Sequence, residues 1–219
     1  MGTVSKALSL LTNFNQSRLE IGLSEMARLA GVNKATAYRL LSELQEAGFV
    51  EQAGGDRSYR LGAEILRLAK LREAAVPLMS ASRGILENLS EVTHETSHVS
   101  IVRGARLNSL AHAYSTRHAT RVMMEDAETL SFHGTSSGLA ILAFSPDEFV
   151  DAILAQPLAR HTPATQTDPQ KIRAALAPVH RTGIAVSVGG FEADVHSHAA
   201  PVFNSDGLPI GAVAVAAPV

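Results

Sequence analysis

The run from Leu23 to Gln52 constrains the fold of this chain more than any other part of the sequence. It reads LSEMARLAGVNKATAYRLLSELQEAGFVEQ, two amphipathic stretches separated by a glycine. Ser24 is a favourable N-cap for the first stretch, and Gly31 permits a tight turn after it. Asn33 is a favourable N-cap for a longer helix over residues 34–47. The pattern therefore predicts two helices joined by a tight turn.

The second of these helices has one apolar face and one polar face. Apolar residues recur at positions i, i+3, i+4 and i+7, which predicts a single buried stripe formed by Ala37, Leu40, Leu41 and Leu44. Polar and aromatic side chains are presented near its N-terminus, and they are Lys34, Thr36, Tyr38 and Arg39. A helix–turn–helix of this kind is suited to enter the major groove of DNA. An αα-hairpin with a solvated polar face is the alternative interpretation.

The segment that follows favours DNA binding over the plain hairpin of helices. Residues 49–53 and 57–61 are short strand-like runs, and Gly54, Gly55 and Asp56 between them suit a hairpin turn. Arg57 and Arg60 are placed where such a hairpin could reach DNA phosphates. Together with an amphipathic helix over residues 3–14, these elements predict a winged helix–turn–helix domain over residues 1–62.

Charge and composition limit the class of protein. Residues 1–62 carry 7 Lys/Arg and 6 Asp/Glu, a net charge of +1, and the remainder carries 12 and 15, a net charge of −3, which together give −2. A domain at +1 lacks the bulk charge for tight nonspecific DNA binding, so a dimeric, sequence-selective binder is favoured. With no cysteine, no signal peptide and no apolar run long enough to cross a bilayer, the sequence predicts a cytoplasmic protein without a membrane partner.

A second domain is predicted beyond a linker helix. Residues 63–77 predict that linker helix, which Pro77 ends, and residues 78–219 predict an α+β domain. Helices are expected over 78–92, 136–144, 146–155 (with Pro146 at position N1) and 168–182. Strands are expected over 96–103, 107–115, 120–125, 184–188, 195–203 and 208–216. Strands at both ends of the domain around central helices predict one antiparallel sheet covered by helices.

Three stretches together resemble one protein family. They are the winged helix–turn–helix ending in YRLG at 59–62, FHGTSSGLAILAF at 132–144, and HAAPVFNSDGLPIGAVAVAAP at 198–218. In this order and spacing, they resemble the IclR-type (isocitrate lyase regulator) family of bacterial transcription regulators. The resemblance implies a GAF-like C-terminal domain that binds a small metabolite, and a homodimer or dimer of dimers on double-stranded operator DNA. It also implies a regulator of a catabolic operon, either a repressor or an activator, in a family whose members commonly continue past the position of Val219 into a further helix.

The resemblance further implies which residues line the effector pocket. They are Val122, Ser136, Ser137, Ser187, Ser197, Ala214 and Ala216. Ser187 and Ser197 stand where the family often has Asp and Cys, and Ala214 and Ala216 stand where it often has two serines. Leu139 replaces a commonly basic residue. Fewer polar anchors favour an aromatic or partly apolar metabolite over a small keto acid.

One motif suggests zinc chemistry instead. Residues 94–98 read HETSH and match the H-E-x-x-H signature, which needs both histidines on one face of a continuous helix. Here the motif begins after a predicted helix and enters a β-branched, alternating stretch. In a strand His94 and His98 would lie roughly 13 Å apart, too far to share one zinc ion.

Two other signals are similarly weak, and two alternatives stay open. His196 and His198 could form a metal-binding pair, but histidines in this pattern are more often solvated. For a serine hydrolase, the sequence contains nothing that resembles a G-x-S-x-G nucleophile elbow. We therefore predict a protein that is not an enzyme, with no catalytic residue, no metal ligand and no cofactor. The alternatives are a metal-dependent or serine hydrolase with an appended helix–turn–helix, and a constitutive DNA-binding protein whose second domain only dimerises.

Overall fold

The structure is a computed structural model that describes residues 2–54, 57–117, 121–124 and 129–219. Its contacts divide the chain into two compact units, Met1–Leu78 and Met79–Val219. Each unit has a hydrophobic core of its own.

The first unit is a helix–turn–helix followed by a small hairpin. Asn33 caps the second helix of the motif, since its side-chain oxygen accepts a hydrogen bond from the Thr36 amide at 2.8 Å. Val50 pairs with Leu61 in the hairpin, and Ile21 pairs with Tyr59 to add a third strand-like segment. The elements in chain order are α1 (Thr3–Leu11), α2 (Leu23–Leu29), α3 (Lys34–Glu46), β1 (Val50–Gln52), β2 (Tyr59–Leu61) and α4 (Ala63–Ala75).

The predicted stripe of α3 forms the centre of this first core. Ala37, Leu40 and Leu41 are buried, and Leu44 is partly buried against them. The predicted N-cap of α2 is wrong: Gly22 caps the helix, and Ser24 lies in its first turn. The helix starts early because Ile21, directly before the cap, is fixed by its pairing with Tyr59. The predicted hairpin turn at Gly54–Asp56 falls largely outside the described residues.

The second unit is one antiparallel sheet between helices. Its strand order is β5-β4-β3-β8-β7-β6, and every neighbouring pair is antiparallel. The helices are α5 (Leu78–Thr93), α6 (Ser136–Phe144), α7 (Asp147–Leu154) and α8 (Pro169–Thr182). The strands are β3 (Thr96–Arg103), β4 (Arg106–Ala113), β5 (Thr129–Leu130), β6 (Ala185–Val188), β7 (Val195–Phe203) and β8 (Pro209–Pro218).

The two faces of the sheet carry different helices. Apolar residues of α6, α7 and α8 pack with alanines of β6, β7 and β8 in one core. On β3, Thr96 pairs with Ala216 and His98 pairs with Ala214, so these two side chains face the same side as that core. The intervening Ser97 faces the opposite side, where its hydroxyl donates a hydrogen bond to a carbonyl of α5.

Two predicted elements of this unit differ from the structure. Residues 121–124 have no regular structure, so the strand predicted over 120–125 is wrong there, and Thr120 and Glu125 lie outside the described residues. The strand beside β4 is instead Thr129–Leu130. Pro146 is the N-cap of α7 rather than its first helical residue, because its ψ of 147° is extended.

Candidate functional site

The exposed face of α3 is the first candidate site. Lys34, Tyr38 and Arg39 are exposed and Thr36 is half-buried, all beside the capped N-terminus of the helix. The Arg39 guanidinium lies 3.4 Å from the Glu43 carboxylate, one turn further along. An exposed pair of this kind is worth little in stability, so Arg39 can exchange it for another acceptor.

The two wing arginines differ in their contacts: among the residues that the structure describes, Arg60 forms ion pairs and Arg57 forms none. Arg57 is exposed beside the hairpin, with a φ of 60°. Arg60 instead donates to Glu51 at 2.8 Å and lies 3.8 Å from Glu20. Of the two wing arginines, Arg57 is therefore the one better placed for a phosphate.

The second candidate site is a cavity in the Met79–Val219 unit, between the sheet and the N-terminus of α6. Its empty space amounts to about 450 Å³, which includes open solvent at its mouth. Six residues that the sequence assigned to an effector pocket line it: Val122, Ser136, Ser137, Ser187, Ser197 and Ala216. The sequence did not assign the other lining residues, which are His98, Met124, Leu130, Gly134, Thr135, Phe191, Glu192 and Val195.

Ala214 is the one assigned residue that does not line this cavity. It lies two positions before Ala216 on the same face of β8, where it pairs with Ala199 and is buried in the hydrophobic core. The alternation of the strand put both alanines on the correct face, but the sequence could not show where along the strand the cavity ends.

The turn before α6 is built around small residues and hydroxyls. The Thr135 hydroxyl accepts a hydrogen bond from the Gly138 amide at 3.0 Å and so caps the helix. A Cβ atom on Gly138 would lie 2.3 Å from the Phe132 backbone, so only glycine fits there. Ser187 donates to the Gly134 carbonyl at 2.8 Å and ties this turn to β6.

The first two amides of α6 remain available at the cavity. Within the described part of the chain, no hydrogen bond uses the backbone N–H of Ser136 or Ser137. Both residues line the cavity, and the N-terminus of a helix carries partial positive charge. This wall can accept the negative end of a ligand.

The opposite wall is held by side chains of the sheet. The Thr96 hydroxyl donates to the Val122 carbonyl at 2.8 Å. The Tyr114 hydroxyl accepts from the Met124 amide at 3.0 Å and donates to the Met124 carbonyl at 3.2 Å. Val122 and Met124 thereby present apolar side chains to the cavity although residues 121–124 are not a strand.

Two titratable side chains are found among the described residues that line the cavity. His98 is 6% exposed, and its Nε2 lies 3.3 Å from the Ser137 hydroxyl. Burial, with a smaller effect of the nearby His112, lowers the pKa of His98 to about 4. Desolvation raises the pKa of the Glu192 carboxyl, although this residue is exposed overall. Alternation along the predicted strand 96–103 was the sequence signal that could have placed His98 on the cavity face of the sheet.

The H-E-x-x-H stretch has no helical geometry. Helix α5 ends at Thr93, His94 has a φ of 63°, and β3 begins at Thr96. His94 and His98 therefore do not share a helix face, in agreement with the expectation from the sequence.

His196 and His198 stack with ring centroids 5.0 Å apart, and the described residues contain no group of three or more side chains that could hold a metal ion. No helix in the described ranges is long and apolar enough to cross a membrane.

Comparison with known proteins settles the family. The model of the "IclR helix-turn-helix domain" matches residues 3–54, and that of the "Bacterial transcriptional regulator IclR C-terminal" domain matches residues 73–219. The chain belongs to the IclR family of bacterial transcriptional regulators. It is therefore a DNA-binding regulator and not an enzyme, since its curated relatives are transcriptional regulators.

Three IclR-family proteins illustrate the similarity. The HTH-type transcriptional regulator XynR of Escherichia coli K12 is 26% identical over 97% of this chain and 84% of its own length. A crystal structure assigned to the IclR regulators, from Silicibacter sp. TM1040, is 67% identical with a TM-score of 0.96, covering 99% of this chain and 85% of that one. An IclR homologue from Microbacterium hydrocarbonoxydans, crystallised with 4-hydroxybenzoate, is 27% identical with a TM-score of 0.83. The match covers 99% of this chain and 89% of that chain.

Proposed function

We propose that this IclR-family regulator changes its affinity for operator DNA when an aromatic carboxylate binds in the cavity beside α6. The observation that carries the proposal is the composition of that cavity. Apolar side chains of Val122, Met124 and Phe191 line it together with two available amides of α6. An apolar ring with one acidic group matches that combination of walls. The 4-hydroxybenzoate held by the Microbacterium homologue has this chemistry.

The ligand would lie across the row of small side chains on the sheet. Ser187, Ser197 and Ala216 occupy neighbouring strands at one level, since Ser197 pairs with both of the others. Small side chains in this row leave the floor open for a planar ring. Ser197 offers a hydroxyl that can donate or accept a hydrogen bond to a polar substituent.

On the DNA side, we assign recognition to α3 and backbone contact to the wing. Lys34, Thr36, Tyr38 and Arg39 would meet bases and phosphates in the major groove, and Arg57 would meet a phosphate. The support is their position: four of these five side chains are exposed, and three of them follow the capped N-terminus within two turns.

The first unit presents an apolar surface that supports a homodimer, which can pair further into a dimer of dimers. Helix α4 buries no residue within its unit, and Leu66 and Leu71 are more than half exposed. Val4 and Leu8 of α1 are likewise exposed. A second copy covering these side chains would remove apolar surface from water and give the two recognition helices needed for a palindromic operator. A catabolic operon in the cytoplasm is the expected target.

The test is selection of duplexes from a random DNA pool, followed by titration with 4-hydroxybenzoate. We expect an enriched palindromic site, binding by an even number of chains in light scattering, and a shift of at least tenfold in DNA affinity with the ligand. A site that binds equally well at every ligand concentration would contradict the proposed effector class. Binding of the isolated DNA site by a monomer would contradict the dimer.

A further inference from the structure

His98 occupies an unusual position in the cavity. It lies on β3 between Ser97 and Val99, and its pairing with Ala214 turns its ring toward α6. One ring nitrogen, Nε2, lies 3.3 Å from the hydroxyl of Ser137 in the first turn of that helix. The ring therefore lies beside the amides to which we assign the effector's acid group.

The other ring nitrogen has no hydrogen-bond partner among the residues that the structure describes. Nδ1 of His98 is buried, and no hydrogen bond to it is found within the described residues. A buried nitrogen without a partner is destabilising, so a ligand that supplies the partner gains affinity at this point. The feature points to a polar group on the ligand next to His98.

The charge state of the His98 ring limits which chemical group of the ligand can bind beside it. Burial and the neighbouring His112 keep the pKa of His98 near 4, so the ring is uncharged at neutral pH. An uncharged imidazole has one N–H and one acceptor nitrogen. When the Ser137 hydroxyl donates to Nε2, the proton is on Nδ1, and Nδ1 becomes a donor. The Ser136 and Ser137 amides, on residues that line the same cavity, are also donors, and a lining rich in donors suits an acceptor-only carboxylate.

We propose that His98 determines effector specificity by donating a hydrogen bond from Nδ1 to the acid group of the effector. This inference rests on the proposed function and adds a residue that selects carboxylates over alcohols of the same shape. His112 on β4 and Glu192 in the loop before β7 are the titratable neighbours on the packed elements.

The experiment compares two ligands on the full chain by isothermal titration calorimetry. The ligands are 4-hydroxybenzoate and 4-hydroxybenzyl alcohol, which differ only in the acid. In His98→Leu we expect the affinity for the acid to fall roughly 10- to 100-fold and that for the alcohol to change less than threefold. His98→Asn, which keeps an N–H donor, should retain part of the preference. His198→Leu, on the opposite face of the sheet, is the matched control and should leave both affinities unchanged.

The outcomes separate this inference from the function on which it rests. Equal losses for both ligands in His98→Leu would indicate a merely structural role and overturn the inference, as would no loss for the acid. If His98→Leu shows no cooperative thermal transition, Ser137→Ala decides, because loss of the hydroxyl should also lower the ratio of the two affinities. A wild-type protein that binds DNA but no aromatic carboxylate would overturn the proposed function and the inference with it.

Discussion

The hydroxyl of Ser97 donates a hydrogen bond to the carbonyl of Leu86 at 2.7 Å, and both residues are buried. Ser97 lies between Thr96 and His98, whose side chains point to the opposite face of the sheet, where His98 lines the proposed effector cavity. A shift of β3 on ligand binding would therefore act directly on α5. That helix begins at Leu78, three residues after α4 ends.

Ser97→Ala should weaken the coupling between ligand and DNA while leaving both binding events in place. The expected loss of stability is about 1 kcal/mol, typical of one neutral hydrogen bond. We expect unchanged affinity for 4-hydroxybenzoate and a smaller ligand-induced change in DNA affinity, measured by fluorescence anisotropy with and without the ligand. Ser80→Ala, at an exposed position of α5, is the control. An undiminished ligand effect in folded Ser97→Ala would show that this contact does not carry the coupling.

Arg39→Ala should weaken operator binding by roughly 1–3 kcal/mol if the guanidinium reads a base edge. If the guanidinium contacts only a phosphate, the loss of affinity should be similar for all DNA sequences. The slope of log affinity against log salt concentration should then fall by about one. Gel-shift titrations at several salt concentrations distinguish these cases. Arg103→Ala, exposed in the second unit, is the control. Unchanged affinity in a folded Arg39→Ala protein would remove this residue from the interface.

Local chemistry made part of this fold predictable from the sequence. The Asn33 cap and the stripe at Ala37, Leu40 and Leu41 depend on residues within a few positions of one another, and both occur in the structure. The start of α2 depends on the pairing of Ile21 with Tyr59, which is 38 residues away, and no local pattern indicates that pairing. Local sequence patterns therefore located the helices well. They did not locate helix termini that are determined by tertiary contacts.

The cavity shows the same division between local and distant effects. The family resemblance identified Ser136 and Ser137 at the helix start, and the structure places both in the lining. It did not identify Glu192, because that residue comes from a loop with no sequence motif. Met124 was missed because the resemblance identified only Val122 in that segment, although alternation in the predicted strand would have put both residues on one face. Contacts between distant segments decide these positions, and one sequence does not encode them visibly.

Ala216→Leu should block effector binding while DNA binding persists. Ala216 is 3% exposed and lines the cavity, so a larger side chain would occupy the space of the ligand. Ala214→Leu is the matched comparison, since the added atoms would enter the core and cost roughly 1–3 kcal/mol in unfolding free energy. Calorimetry with 4-hydroxybenzoate and thermal unfolding of both variants test this. Full ligand affinity in Ala216→Leu would place the effector elsewhere.

Gly138→Ala should destabilise the second unit by about 2–3 kcal/mol through overpacking against the Phe132 backbone. Gly84→Ala, in the middle of α5, meets no atom within 4 Å of the added Cβ. It should instead stabilise the protein by about 0.5–1 kcal/mol, because alanine favours helix over glycine. Urea unfolding of the two variants gives the comparison. Equal stability of both variants would show that the turn before α6 can relax.

The stability of the protein should fall as the pH is lowered from about 6.5 to about 4, partly through His98. Its folded-state pKa of about 4 lies below the ordinary 6.5 of an unfolded histidine, so in this interval the unfolded chain binds a proton that the folded chain rejects. The contribution is fully present above pH 6.5 and is lost as the pH falls, to a total on the order of 3 kcal/mol. Because carboxylates and His161 also titrate, the informative quantity is the difference between wild type and His98→Leu. Urea midpoints measured from pH 7.5 to pH 4.5 should decline less steeply in the variant, and parallel declines would show that His98 is protonated equally in both states.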